Sequence, residues 1–289
     1  MREAVPARPR AIVHILHGMA EHSGRYERFA EALHGAGYGA VAHDHRGHGE
    51  TVAPDAALGW LGPNGWPALV ADTLAVNEHI RSGFDRVPIV VFGHSMGAVA
   101  SFTYALAHSG TCEGVASWNI SLADGALNRV FRWVLKAQRF RRGSDVPSAL
   151  ARTLTFDAWN KRFAPNRTEF DWLSRDEREV DAYIADPLCG FEVTIGTWLS
   201  VLDGVSFCAA QENIEGLPRD KPVHLLAGSE DPCAAEGAPM KRMADRLRGI
   251  GVSDVTCEIV EGNRHEALNE ITRDATTAGF IRWLDERWG

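Results

Sequence analysis

At positions 87–97 the chain reads Val87-Pro88-Ile89-Val90-Val91-Phe92-Gly93-His94-Ser95-Met96-Gly97. The apolar run predicts a buried strand, and residues 98–107 have the composition of a helix. A strand, a Gly-x-Ser-x-Gly turn and a helix in that order are typical of a nucleophile elbow, which holds a serine at a strained corner. The bare five-residue pattern also occurs in ordinary turns. Its position between a strand and a helix favours Ser95 as a nucleophile.

Outward from this corner, apolar strands alternate with helices along most of the chain. We predict strands at residues 10–16, 38–42, 114–120, 222–227 and 255–260. We predict helices at residues 26–36, 67–80, 235–247 and 267–288. This alternation predicts an α/β fold with a mainly parallel central sheet and helices on both faces.

The alternation stops between residues 123 and 218, where helical segments follow one another without a clear strand. We therefore predict a core formed by residues 1–122 and 219–289, with residues 123–218 inserted as a helical cap. Tryptophan and phenylalanine side chains are frequent in this insertion. They could pack the cap onto the core or line a substrate pocket, and both interpretations remain open.

Composition narrows the class of protein. The chain has 289 residues, a net charge of -8, 45% hydrophobic and 24% charged residues, which is typical of a globular domain with a sizeable core. A nucleic-acid partner is not expected, because proteins that bind nucleic acids are usually basic. The N-terminal residues lack an apolar leader, and no run of about 18 apolar residues occurs, so we expect neither secretion nor a membrane span.

The cysteines and histidines do not form a recognisable metal motif. The five cysteines are widely spaced without a Cys-x-x-Cys pair, so we expect no disulfide framework and a reducing, cytoplasmic location. His14 and His17 lie close in sequence, as do His45 and His48, but no His-Glu-x-x-His helix accompanies them. We expect no metal.

A serine hydroxyl needs a base and a carboxylate behind that base to act as a nucleophile at neutral pH. Behind a nucleophile elbow the chain order of the three is Ser, Asp or Glu, His. Asp231 and His265 each follow a predicted strand and complete that order after Ser95. Asp186 and Asp203 are rival acids, but both lie in the cap segment, away from a sheet edge.

The negative oxygen that forms during acyl transfer needs two N–H donors. One candidate is the backbone N–H of Met96, directly after the nucleophile. The other is in the loop His17-Gly18-Met19 after the first predicted long strand, where we favour the Met19 N–H.

Three segments together carry a family resemblance: residues 17–26, residues 44–49 and the Gly93–Gly97 pentapeptide. They resemble the monoacylglycerol lipase and lysophospholipase-like branch of the α/β-hydrolases, and the similarity returns at residues 179–188, 228–231 and 261–266. This resemblance implies an α/β-hydrolase fold with a cap and a serine carboxylic-ester hydrolase that needs no cofactor. It also implies a catalytic triad of Ser95, Asp231 and His265. The backbone N–H groups of Met19 and Met96 are then the two donors to the negative oxygen.

Two departures from the family pattern concern the loop and the cap. Ala20 stands where the family often has glycine, so we expect a stiffer loop. Residues 122–172 resemble the animal enzymes little, which leaves the substrate open. A monoacylglycerol or lysophospholipid is favoured as the substrate. Alternatives are an esterase for another small or anionic ester such as a dicarboxylate half-ester, a peptidase, a thioesterase or a perhydrolase on the same fold, and a binding module that has lost catalysis.

Residues 127–142 contain six basic and no acidic residues in an otherwise acidic chain. Helical spacing places Arg129, Arg132, Lys136 and Arg139 on one side, with apolar residues on another. This segment could contact a membrane surface, attract an anionic substrate, or be a solvated helix face.

Overall fold

The computed structural model describes residues 1–289 and contains one seven-stranded sheet in the order β1-β3-β2-β4-β5-β6-β7. The strands are β1 (Arg2–Ala4), β2 (Ile12–Leu16), β3 (Gly39–His43), β4 (Ile89–His94), β5 (Gly114–Trp118), β6 (Val223–Gly228) and β7 (Val255–Val260). Strands β2 to β7 are parallel, and β1 pairs antiparallel with the edge of β3. The predicted α/β fold with a mainly parallel sheet is confirmed.

Five helices cover the two faces of this sheet: α1 (Glu27–Gly35), α2 (Gly65–Gly83), α3 (Met96–Ala107), α10 (Ala238–Gly249) and α11 (Arg273–Trp288). Helices α1 and α11 bury Phe29 and Phe280 against Phe92 on one face. Helices α2, α3 and α10 bury a larger cluster on the other face. Both faces of the central strands are therefore covered, which explains their continuous apolar runs.

The segment between β5 and β6 consists of helices joined by loops and adds no strand to the sheet. It contains α4 (Ala126–Arg142), α5 (Ala149–Arg152), a π-helix (Thr153–Asp157), α6 (Ala158–Asn160), α7 (Glu177–Ala185), α8 (Ile195–Ala209) and α9 (Gln211–Glu215). Helix α8 packs on α2 and α3 of the core as well as on α4. The domain boundaries at residues 122/123 and 218/219 stay a prediction.

Several element boundaries differ from the sequence expectation. Strand β1 was not predicted, because Arg2-Glu3-Ala4 is short and charged, as edge strands often are. Helix α11 begins at Arg273 instead of residue 267. The preceding residues form a loop whose Glu270 carboxylate accepts hydrogen bonds from the Arg264 backbone (3.0 Å) and from the Arg175 side chain (3.0 Å). None of the helices combines the length and apolar character needed to cross a membrane.

Candidate active site

Ser95 stands at the corner between β4 and α3 with φ 53° and ψ -119°. This backbone is strained for a residue with a side chain, and strain of this kind is common at functional sites. The flanking glycines make the corner possible: a Cβ on Gly93 would overlap the Gly97 carbonyl, and one on Gly97 would overlap the Leu16 carbonyl. The elbow therefore presents the Ser95 hydroxyl at the carboxyl end of the sheet.

The structure brings Ser95, His265 and Asp231 together from the ends of β4, β7 and β6. His265 Nε2 lies 2.9 Å from Ser95 Oγ, and His265 Nδ1 lies 3.1 Å from both Asp231 carboxylate oxygens. Asp231 and His265 are buried. Because a carboxylate only accepts, Nδ1 carries the proton and Nε2 faces the serine as a base would. Their catalytic role stays a prediction.

Asp231 is held by further donors that sequence reasoning missed. Its Oδ1 accepts the backbone N–H of Cys233 (2.9 Å), and its Oδ2 accepts Asn119 Nδ2 (3.1 Å). Asn119 directly follows β5 and has a left-handed φ of 58°. The sequence signal that could have identified Asn119 is a polar residue at the end of β5, the strand that lies between β4 and β6 in the sheet. The two rival acids lie elsewhere: Asp186 bonds His22, and Asp203 pairs with Arg132.

The loop after β2 and the start of α3 supply the predicted backbone donors. The N–H groups of Met19 and Met96 have no acceptor within the protein. The N–H of Gly18 is committed instead to Glu21 Oε1 at 2.5 Å. The free amides therefore include both predicted donors, and Met19 lines the same pocket as Ser95.

Ala20, where glycine was the family expectation, has a left-handed φ of 56° and is fully buried. Its carbonyl accepts the Gly190 N–H (3.0 Å) and the Tyr183 hydroxyl (2.9 Å), both from the cap segment. The left-handed backbone costs an alanine about 1 kcal/mol relative to glycine, and these two hydrogen bonds hold it in place.

The pocket at Ser95 is small and enclosed by the cap. Its volume of ≈ 20 Å³ holds about one water molecule and no acyl chain. Aromatic rings form its roof, and Trp172 lies 4.8 Å from the His265 ring between centroids. The lining residues are Gly18, Met19, Glu21, His94, Ser95, Phe156, Trp172, Leu173, Tyr183, His265 and Glu266. An ester substrate therefore requires movement of the cap side chains.

A buried charge cluster lies beside the triad. Arg25 donates to Glu21 Oε2 at 2.7 Å and to both carboxylate oxygens of Glu266, at 2.5 and 2.8 Å. His94 places Nδ1 3.3 Å from Glu21 Oε1 and Nε2 3.0 Å from the His265 carbonyl oxygen. The His94 ring therefore binds Glu21 and the His265 backbone, and His265 is the histidine whose ring contacts the Ser95 hydroxyl. We call Glu21, Arg25, His94 and Glu266 the charge cluster.

One group of side chains comes within reach of a metal: His22, Asp186 and Cys189, whose ligand atoms lie within 4.8 Å of one another. However, His22 Nδ1 accepts the Gly24 N–H at 3.1 Å, so Nε2 carries the ring proton and donates to Asp186 at 2.8 Å. No ring lone pair is left for a metal. The group is better described as a hydrogen-bonded clamp between the loop after β2 and the cap.

Five buried histidines lie behind the loop after β2. His14 Nε2 lies 3.2 Å from His43 Nδ1, and His17 Nε2 accepts the His45 N–H at 2.9 Å. Burial lowers the pKa of His17 to about 3 and those of His43 and His48 to about 4. These rings are therefore neutral at pH 7. They fill the interior and form hydrogen bonds with one another and with the backbone.

Comparison with known proteins identifies relatives over nearly the whole chain. Residues 7–272 match the family Hydrolase_4, described as serine aminopeptidase, S33. Monoglyceride lipase from Mus musculus is 28% identical over 91% of this chain and 78% of its own. Monoacylglycerol lipase from Mycolicibacterium smegmatis is 27% identical over 96% of this chain and 88% of its own.

Solved structures agree on the fold. A thermostable carboxyl esterase from Bacillus coagulans superimposes with a TM-score of 0.91 at 25% identity, covering 99% of this chain and 93% of that one. A monoacylglycerol lipase from Paleococcus ferrophilus superimposes with a TM-score of 0.74 at 23% identity, over 99% and 97% of the two chains. The chain belongs to the Hydrolase_4 family and is an ester-cleaving serine hydrolase of the α/β-hydrolase fold, similar to the monoacylglycerol lipases.

Proposed function

We propose that this protein hydrolyses neutral single-chain acyl esters of the monoacylglycerol type through an acyl-enzyme on Ser95. The observation that carries the proposal is the alignment of Asp231, His265 and Ser95, with 2.9 Å between His265 Nε2 and Ser95 Oγ. The similarity to monoglyceride lipases over more than nine-tenths of the chain supports the choice of ester.

In the first step Ser95 Oγ attacks the ester carbonyl carbon while His265 Nε2 takes its proton. The carbonyl oxygen becomes negative and is held by the N–H groups of Met19 and Met96. The C–O bond to the alcohol then breaks, and His265 returns the proton to the leaving alcohol. A water molecule repeats the sequence on the acyl-enzyme, releases the fatty acid and restores Ser95.

The electrostatics of the pocket favour a neutral ester over a lysophospholipid or a dicarboxylate half-ester. Two cationic groups of the charge cluster lie at or beside the pocket, and both already have acidic partners: Arg25 binds Glu21 and Glu266, and His94 binds Glu21. A phosphate or carboxylate in the pocket would therefore have no free cationic partner, and burying such a group unpaired is costly.

The test compares a 1-monoacylglycerol with the lysophosphatidylcholine that carries the same acyl chain, and adds an aminoacyl amide as the peptidase substrate. We expect the glycerol ester to give the highest kcat/KM by about tenfold or more. Ser95→Ala should abolish turnover and labelling by a fluorophosphonate probe while circular dichroism stays unchanged. Labelling that persists in Ser95→Ala refutes Ser95, and faster turnover of the lysophospholipid or the amide refutes the neutral ester.

We also propose that α4 contacts an anionic lipid surface. Its solvent-facing stripe exposes 80% of Leu127, 73% of Trp133 and 93% of Phe140. Basic side chains flank this stripe, and of the six in the helix Arg132 alone has an acidic partner, Asp203. An exposed apolar stripe with basic flanks suits the boundary between anionic headgroups and acyl chains.

Arg132 is not part of the exposed basic surface, because its guanidinium binds Asp203 and Ser206 of α8. A vesicle assay with phosphatidylglycerol tests the remaining surface. We expect a Trp133→Ser and Phe140→Ser double variant to lose at least about tenfold in vesicle binding. Ile271→Ser, which changes another exposed apolar residue, is the matched control and should bind normally. Equal vesicle binding by the unmodified protein and both variants refutes α4 as a lipid-binding surface.

The five unpaired cysteines support a cytoplasmic location for this activity.

A further inference from the structure

We infer that His94 is a stable imidazolium that ties the loop after β2 to the His265 loop and so positions both halves of the site. This inference rests on the proposed function for its catalytic consequence, but the protonation state itself does not depend on it. His94 is the residue before the nucleophile, so its backbone is fixed by the elbow.

The hydrogen-bond partners of His94 require a proton on each ring nitrogen. Nε2 lies 3.0 Å from the backbone carbonyl oxygen of His265, which can only accept. Nδ1 lies 3.3 Å from Glu21 Oε1. A neutral ring would direct a lone pair at one of these oxygens, which is repulsive.

Glu21 is an ionised acceptor, because donors approach it from several sides. Its oxygens accept the N–H of Gly18 at 2.5 Å, the hydroxyl of Tyr26 at 2.9 Å and the guanidinium of Arg25 at 2.7 Å. A protonated carboxyl would have to give up one of these bonds. The proton between Glu21 and His94 therefore belongs to the histidine.

The charges around His94 balance. Glu21 faces it from the segment after β2, and Glu266 and the His265 ring face it from the loop after β7. Arg25 binds both carboxylates. Two carboxylates, one guanidinium and one imidazolium sum to zero. Burial alone would lower the pKa of His94, but the hydrogen bond and the negative charge of Glu21 outweigh burial and raise it above its ordinary value.

Each proton of His94 supports one half of the site. Through Nδ1 it holds Glu21, which in turn binds the N–H of Gly18, the residue before Met19 in the pocket lining. Through Nε2 it holds the His265 backbone, whose ring must reach Ser95. As pH rises through the folded-state pKa of His94, one of these bonds is lost and the cluster acquires a net charge of -1.

The protonation state can be read directly by nitrogen-15 NMR of the histidine rings in the unmodified protein. Of the 12 histidines, we expect one ring to keep the imidazolium signature on both nitrogens at pH 8. Its signals should vanish in His94→Gln and persist in His79→Gln, an exposed histidine on α2. The inference is overturned if the unmodified protein shows no imidazolium signal at pH 8, or if that signal is still present in His94→Gln.

Kinetics test the positioning role. We expect kcat of the unmodified protein to fall at alkaline pH as His94 loses its proton. We expect His94→Gln to lower kcat about tenfold at pH 7 with little change in KM, and to lack this alkaline fall. His79→Gln should keep the original rate and profile. An unchanged rate and profile in His94→Gln overturns the positioning role. If the unmodified protein neither turns over esters nor reacts with the fluorophosphonate probe, the proposed function fails while the NMR result stands.

Discussion

The two walls of the catalytic pocket are built differently. On the core side, Ser95, Asp231 and His265 follow β4, β6 and β7, and hydrogen bonds of about 3 Å fix their side chains. On the cap side, Phe156 and Trp172 come from a π-helix and a loop. Their rings meet mainly by stacking, with centroids 5.3 Å apart. Directional bonds hold the candidate triad, whereas non-directional packing shapes the opposite wall. The geometry of the proposed reaction is therefore fixed more tightly than the shape of the substrate pocket.

The largest expected effect lies on the core side. Asp231→Asn keeps the size of the side chain, but its amide group can donate a hydrogen bond to His265 Nδ1 and so favours the wrong tautomer of the proposed base. We expect kcat to fall about 10⁴-fold with an unchanged fold. Steady-state rates and circular dichroism provide the check. A loss of less than tenfold would mean that another acid supports His265.

Acid should weaken the core side selectively, because the cap segment 123–218 contains no histidine. His43 and His48 are neutral when folded, with pKa values of about 4, but bind protons when unfolded as pH falls below about 6.5. Stability is therefore lost as pH falls from 6.5 towards 4. We expect about 2 kcal/mol of lost unfolding free energy for each of these histidines between pH 7 and pH 5.

Urea unfolding at the two pH values measures this loss, and hydrogen exchange locates it. We expect faster exchange at pH 5, after correction for the intrinsic rate, in β2 and β3 but not in α4. An unfolding free energy that is flat between pH 7 and pH 5 would contradict neutral burial of these rings.

A smaller effect is expected on the cap side. Phe156→Ala removes the ring between Trp172 and Trp198 and joins the catalytic pocket to a neighbouring hollow lined by Phe191 and Val193. We expect the ratio of kcat/KM for long-chain over short-chain esters to rise about tenfold, with short-chain kcat within about threefold of the original. Because directional bonds are untouched, the chemistry should persist.

Leu154→Ala changes an exposed residue of the same π-helix and is the matched control. Equal chain-length profiles for both variants would mean that the acyl chain takes another path.

The smallest effect is expected at Ala20, where the two walls meet. Ala20→Gly relieves the left-handed backbone but gives the unfolded chain more freedom. These terms nearly cancel, so we expect a change in unfolding free energy within about 0.5 kcal/mol. Ala20→Val should destabilise the protein clearly, because a β-branched residue resists φ 56° and the site is fully buried. Thermal unfolding of both variants distinguishes the outcomes.

Sequence reasoning located the core side because each catalytic candidate follows an apolar strand, and parallel strands bring their carboxyl ends to one edge. It missed the Arg25–Glu266 pair, whose members are 241 positions apart and meet only in the folded chain. On α4, helical periodicity identified an amphipathic helix. Which side faces solvent depends on the partner α8, whose Asp203 pairs with Arg132. The π-helix at Thr153–Asp157 has no signature in side-chain periodicity.

Helix α8 limits which parts of the cap segment can move when the pocket opens. Its Cys208 is hydrogen-bonded to Thr103 of α3 at 3.2 Å, and its Val201 and Val205 lie in the main core. Helix α8 is therefore held to the core, whereas the π-helix contributes Phe156 to the aromatic roof of the pocket. Opening for substrate should leave α8 in place, so its amide protons should exchange slowly while those of the π-helix exchange fast. The energy needed to admit an ester is then that of separating a few aromatic rings.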